Sequence, residues 1–311
     1  MPLRASFTLR CAWWRRRLIH WLSRGRAVAP AGAAVVFAPH PDDESLGCGG
    51  TIAMKRRQNI PVDIVVASDG GAAGPEIDRA ALVAERKAEV YAAAEQLGVP
   101  AGAVHWLGFP DGALDAHTRS LRKRAATILR ARPVEEVFVP YERDGHPDHK
   151  ATTKAVYAAL RDVGRPVTVF QYPVWFWAGT WPWTSIRLGL NRGAWAQVRK
   201  IVREKAGWAA LRLFGTTVNI EPVRDRKRAA LAAHESQFGG KGYPGSLADF
   251  DDGHWLELFD QPVEWFRRSR FRPRRQERPD DRQAGPAARE RPSTDRAPTE
   301  REHTHAPVPE S

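Results

Sequence analysis

The chain has 311 residues, 42% of them hydrophobic and 27% charged, with a formal net charge of +12. That balance suits a soluble globular protein with ample apolar residues for a core, organised as one or two domains. Two cysteines, Cys11 and Cys48, exclude a disulfide framework and fit a reducing compartment. No run approaches the ~20 apolar residues that span a bilayer. Leu18–Leu22, interrupted by His20, is too short for the apolar stretch of a secretory signal.

The charge is unevenly placed. Residues 1–29 hold seven arginines and no acid, and residues 272–311 hold nine arginines against eight acids, which leaves +4 for residues 30–271. In the first segment Phe7, Cys11, Trp14, Leu18 and Trp21 fall at helical spacing. A basic amphipathic arm of this kind suits an anionic membrane surface or docking on the rest of the chain. The chain is therefore expected in the cytoplasm, with peripheral contact at the inner face of the membrane as the option the arm offers. The last segment has Val308 as its only large aliphatic residue and cannot offset the entropy of ordering, so it reads as a disordered tail.

Between these ends, Ala33–Ala38 is short, β-branched and aromatic, which predicts a buried parallel strand. Leu46–Met54 follows, with glycines that either let the backbone approach a ligand or pack a helix tightly on a strand; it is not the Gly-x-Gly-x-x-Gly dinucleotide pattern. Val62–Ala67 predicts the second strand, Asp78–Leu97 a helix stopped by Gly98, and Ala103–Leu107 the third strand. Val134–Val139 is the fourth strand, Asp148–Leu160 a helix, Pro166–Gln171 the fifth strand, Thr216–Ile220 the sixth, and Asp225–Phe238 a last helix. This alternation predicts an α/β fold: a Rossmann-like, doubly wound, mostly parallel sheet with helices on both faces and strand order 3-2-1-4-5. The domain spans residues 30–271. Within it, residues 172–215 stand out as a cap segment. Trp175, Trp177, Trp181 and Trp183 crowd its start, and seven basic residues against one acid fill 184–214, a mix that favours an anionic partner.

Two clusters carry the chemistry. Ala38-Pro-His-Pro-Asp-Asp-Glu44 follows the first strand and Gly145-His-Pro-Asp-His149 follows the fourth. In the order 3-2-1-4-5 these strands are neighbours, and ligands bind outside their carboxyl ends, so distant sequence becomes one pocket. Two imidazoles and a carboxylate, His40, His149 and Asp43, make the three-ligand set of a catalytic zinc that keeps a position open for water. Asp42, beside the metal and unligated, is placed to take a proton from that water. His146 is placed to stabilise the oxyanion and the leaving nitrogen, and Asp148 to orient a histidine.

Pro-His-Pro-Asp-Asp-Glu followed by His-Pro-Asp-His resembles the PIG-L/LmbE family of zinc-dependent N-deacetylases, which remove acetyl groups from N-acetylglucosamine-type sugars. The resemblance covers roughly residues 33–240. It implies one zinc held by His40, Asp43 and His149, with Asp42 as general base. Further family-like pieces are Ser68–Gly70, Arg86–Glu89, Phe109–Gly112 and His234–Gln237. Arg86 falls on a family position that contacts substrate; Asp111, just past the third strand, can accept hydrogen bonds from sugar hydroxyls. Asp144 stands where some relatives carry a tyrosine that assists the oxyanion, which weakens that role here.

The expected function is therefore hydrolysis of an N-acetyl group from a small-molecule or lipid-linked amino sugar. Two alternatives compete. A metal-dependent phosphoesterase needs bridging carboxylates, for which only Asp43 and Glu44 are at hand. A basic nucleic-acid- or glycan-binding protein without catalysis fits the charge, yet no zinc knuckle, helix-turn-helix or RNP pattern occurs.

Overall fold

A computed structural model describes residues 27–29, 31–72, 77–176, 213–239, 247 and 256–273. Residues 1–26, the Trp-rich run from residue 177 with the basic stretch to 212, and the tail from 274 lie outside the described residues. The fold is built on β1 (Ala34–Ala38), β2 (Val62–Ser68), β3 (Val104–Phe109), β4 (Glu136–Pro140), β5 (Val167–Tyr172), β6 (Thr216–Asn219) and β7 (Val263–Phe271). They form one sheet in the order β3-β2-β1-β4-β5-β7-β6. The first five are parallel, and β7 runs antiparallel to both β5 and β6.

The central strand β1 is apolar throughout because both of its faces are covered, as parallel sheets require. On β1, Val36 and Ala38 face one core with Ile64, Val66, Phe138 and Phe170. Val35 and Phe37 face the other with Val65, Val137 and Val169. The first core is closed by α1 (Asp43–Arg57), α2 (Arg79–Gln96) and α5 (Arg224–Ala233), which contribute Leu46 and Ile52, Val90 and Ala93, and Ala230. The second is closed by α3 (Thr118–Ala131) and α4 (Pro147–Val163), through Ala125 and Leu129, and Val156 and Leu160. A short α6 (Glu235–Phe238) follows α5 at His234, so the helix expected over Asp225–Phe238 is interrupted there. Neither α3 nor β7 was anticipated from the sequence.

The glycines of α1 serve packing. A Cβ on Gly47 would lie 2.2 Å from the Tyr172 ring, and one on Gly50 would lie 2.5 Å from Ile220. Close approach also lets side chains reach the helix backbone. Glu264 of β7 accepts from the Gly50 and Thr51 N–H groups at 2.8 Å each, while Lys227 of α5 donates to the Leu46 carbonyl at 2.9 Å and to Glu264 at 2.7 Å. Leu46 C=O and Gly50 N–H are partners four residues apart in an ideal helix, so this ion pair engages both groups of one rung. At the other edge of the described chain, Ala27 bridges to Thr217 of β6, and Val28 N–H donates to the Thr217 carbonyl at 2.8 Å.

Candidate active site

The two clusters meet because β1 and β4 are neighbours, with Val36 paired to Phe138, and both strands deliver the chain to the same edge of the sheet. The second cluster is an ordinary helix start. His146 is the N-cap of α4, with extended backbone, Pro147 at the first helical position, and Nδ1 accepting from Asp148 N–H at 3.2 Å. A neutral ring that accepts at Nδ1 carries its proton on Nε2. Burial, and then the charges of His40 and His149, hold the His146 pKa below its ordinary value, which favours that neutral form.

His149, one turn into α4, is completely buried. Its Nδ1 lies 2.8 Å from Asp144 Oδ2 and its Nε2 lies 3.3 Å from Asp43 Oδ2. Asp144 also accepts from Val174 and Trp175 N–H, at 3.3 and 3.2 Å, and so ties the histidine to the segment after β5. Trp175 brings its ring to a centroid distance of 6.4 Å from His146.

The first cluster is tighter. Asp43 Oδ2 accepts from His40 N–H at 2.9 Å and lies 3.2 Å from His40 Nδ1. The far side of the same ring, Nε2, lies 3.2 Å from Asp148 Oδ2 and 3.3 Å from Asp111 Oδ1. Asp148 also accepts from Gly112 and Leu114 N–H at 2.9 and 3.1 Å, which joins the loop after β3 to the site. Asp42 caps α1 with φ 139° and ψ −26°, a backbone setting that disfavours any residue with a Cβ.

The electrostatics follow from crowding. Burial raises the Asp42 pKa well above the carboxylate range, and the neighbouring charges of Asp43 and Glu44 raise it further. Burial opposes charge on Asp43 too, yet His149 and His40 hold its carboxyl well below the usual range. For His149 burial is likewise outweighed, by Asp43 and Asp144, and its pKa is pushed up to about 9. A cation taken up below that pH therefore has to displace a proton. Asp111 and Asp148 are both held low against burial, each chiefly by its hydrogen bond with His40.

Ligand atoms of His40, His146 and His149 lie within 4.8 Å of one another, and so do those of His40, Asp111 and Asp148. His149 Nε2 is buried and, among the described residues, makes no hydrogen bond despite its closeness to Asp43. A buried imidazole nitrogen without a hydrogen bond, beside a carboxylate oxygen and a second imidazole, is a donor set that fits a divalent cation such as zinc once its proton is displaced.

The structure thus brings together His40, Asp43, Asp111, His146, Asp148 and His149, with Asp42 adjoining them in the chain. Arg86 reaches the loop after β2, donating to the Gly70 carbonyl. Its charge bears on both Asp42 and Asp111. Glu44 turns into the core instead, where its Oε1 lies 2.9 Å from His234 Nε2. That leaves Asp43 alone of the two carboxylates considered for bridging metals. His105 pairs with Asp63 at 2.8 Å on β2 and takes no part. Asp144, read from the sequence only as a departure from the tyrosine of some relatives, is the buried partner of His149 Nδ1.

An open α/β sheet with a His/Asp metal-binding constellation at the carboxyl ends of its strands defines a metal-dependent enzyme of the doubly wound class. The particular lineage is clear from relatives: the chain belongs to the PIG-L family, residues 35–160 matching the family described as GlcNAc-PI de-N-acetylase. It is 33% identical over 238 residues to the 1D-myo-inositol 2-acetamido-2-deoxy-alpha-D-glucopyranoside deacetylase of Mycobacterium sp. (strain KMS), covering 64% of this chain and 71% of that one. It is 38% identical over 119 residues to the diacetylchitobiose deacetylase of Thermococcus kodakarensis, a match that takes in 36% of this chain and only 43% of that relative's length. The solved N,N'-diacetylchitobiose deacetylase from Pyrococcus horikoshii shares the fold, with TM-score 0.54 and 21% identity over 81% of this chain and 90% of that one.

Proposed function

We propose that this chain is a zinc-dependent N-deacetylase that hydrolyses the acetamido group of an N-acetylglucosamine-type sugar or glycoconjugate. The observation that carries the reading is the convergence of Asp43 Oδ2, His40 Nδ1 and the buried, unbonded His149 Nε2. The two matched relatives are named for a 2-acetamido glucoside and for diacetylchitobiose, so an N-acetylated amino sugar is what they have in common.

His40, Asp43 and His149 hold the ion in this reading. When bound, it polarises the acetyl carbonyl and lowers the pKa of a water toward ~7. Asp42 accepts the proton of the attacking water. His146, its Nδ1 committed to the helix cap, turns Nε2–H as a hydrogen-bond donor to the developing oxyanion, and the proton taken up by Asp42 passes to the departing nitrogen. Asp148 fixes the His40 ring from its other nitrogen, and Asp144 does the same for His149. Arg86 and Asp111 line the approach and bind sugar hydroxyls. The products are acetate and the free amino sugar.

A finer part of the reading concerns the basic arm. Its seven arginines without an acid, and the tryptophans at residues 14 and 21, suit delivery of the enzyme to a lipid-linked substrate at an anionic surface. One screen tests both levels: acetate release from N-acetylglucosamine, a nucleotide-linked form and a lipid-linked form, with metal content measured on the same samples. Turnover of at least one form is expected, together with loss of metal and activity in His40→Ala and His149→Ala. Full zinc stoichiometry in both variants would overturn the ligand set, and a lipid-linked form no better than the free sugar would overturn the membrane reading.

A further inference from the structure

The strained backbone of Asp42 raises the question of what keeps it strained. Its φ of 139° with ψ −26° suits glycine. Half a turn of the Pro41–Asp42 peptide would bring φ to about −40°, ordinary helical ground, without disturbing ψ. The peptide on the other side of Asp42 is already committed, since its carbonyl accepts from Ser45 and Leu46 N–H at 2.9 Å each in the first turn of α1. The choice therefore lies with the Pro41–Asp42 peptide alone.

That peptide is gripped at both ends by buried side chains. Its carbonyl, on Pro41, accepts from the side-chain amide of Gln237. Its N–H, on Asp42, donates to Glu44 Oε2 at 3.1 Å. The other oxygen of Glu44 lies 2.9 Å from His234 Nε2 and accepts from Ser45 Oγ at 2.8 Å. His234 and Gln237 both come from the junction of α5 and α6, and Glu44, Ser45, His234 and Gln237 are all buried. A flipped peptide would turn its carbonyl toward a carboxylate and its N–H toward an amide donor, like against like, in a buried setting.

We infer that Gln237 and the Glu44–His234 pair are positioning residues that clamp the Pro41–Asp42 peptide in its strained orientation and thereby aim the Asp42 carboxylate at the substrate. The inference rests on Asp42 as general base. None of the clamp touches substrate; it acts by denying the backbone its relaxed state, and it makes the α5–α6 junction, some 190 residues away in sequence, part of the catalytic loop.

The test uses full-length, zinc-loaded Gln237→Leu and Gln237→Met, neither of which can donate to the carbonyl, the second being close in length should the first fail to fold. Expected are a kcat at least tenfold lower, KM within twofold, unchanged zinc content, and a negative φ at residue 42 in the crystal structure. Asp42→Asn, assayed alongside, isolates the base reading. Wild-type kcat in the Gln237 variants with a crippled Asp42→Asn would overturn the clamp and leave the base standing. Normal turnover by Asp42→Asn would sink the base, and the clamp would then be judged on φ alone: a value still near 139° in both Gln237 variants overturns it.

Discussion

The two histidine–aspartate clusters look alike in sequence and are built on opposite plans. Gly145–His149 follows ordinary helix-start chemistry, with an extended N-cap, proline at the first position and a side chain capping a backbone N–H. Pro39–Asp43 instead places a non-glycine residue at φ 139° and holds it there with two buried side chains, the neighbouring Glu44 and the distant Gln237. The difference teaches a division of labour. In the function proposed above, the relaxed cluster supplies a neutral donor and a metal-ligating nitrogen at little backbone cost, whereas the strained one carries the general base.

The comparison can be broken most sharply at the reacting groups. Asp42→Asn keeps the side-chain shape and should keep zinc, yet turnover should fall by roughly 10² to 10⁴. His146→Ala should lower kcat by about 10² to 10³ with little change in KM. Steady-state kinetics with metal analysis on the same samples decide both; a purely KM effect at His146 would move it from the oxyanion to ground-state binding.

A smaller effect is expected behind the metal. Asp144→Ala removes the acceptor that orients His149 and should weaken zinc about 10- to 100-fold in competition with a chelator. Unchanged affinity would mean that packing alone sets the ring.

The smallest effect goes to the backbone contrast itself. Asp42→Gly, though inactive, should raise the stability of the zinc-free protein by about 1 to 3 kcal/mol as the strain is released. Asp148→Gly, in a helical turn of the relaxed cluster, should lower it by at least ~1 kcal/mol. Thermal unfolding of the two variants side by side checks the sign, and equal losses would erase the distinction drawn here.

Much of this architecture was open to reading from residue types. The β-branched runs before each cluster predicted β1 and β4, and the doubly wound order then made neighbours of residues a hundred positions apart. Helix α3 carries Leu121, Ala125, Ile128 and Leu129 at helical spacing, but basic residues interleaved among them blunt the apolar signal. Strand β7 was hidden because Val263-Glu-Trp-Phe puts an acid among apolar residues, and that acid, Glu264, is satisfied by groups of α1 and α5, distant in sequence. The clamp on Asp42 was beyond reach for another reason. A dihedral angle leaves no mark in residue type unless glycine takes the position, and here the residue is an aspartate.

The Glu264–Lys227 pair also bears on where the catalytic unit can be cut. The family match ends at residue 160, which contains every proposed ligand and the base. A fragment trimmed to that match would leave α1 without the carboxylate that receives its Gly50 and Thr51 N–H groups and without the ammonium on its Leu46 carbonyl. Trimming between Lys227 and Glu264 would be worse than removing both, since a buried ammonium stripped of its partner costs about 3 to 5 kcal/mol. Heterologous production of a minimal enzyme should therefore run through Phe271, the last residue of β7.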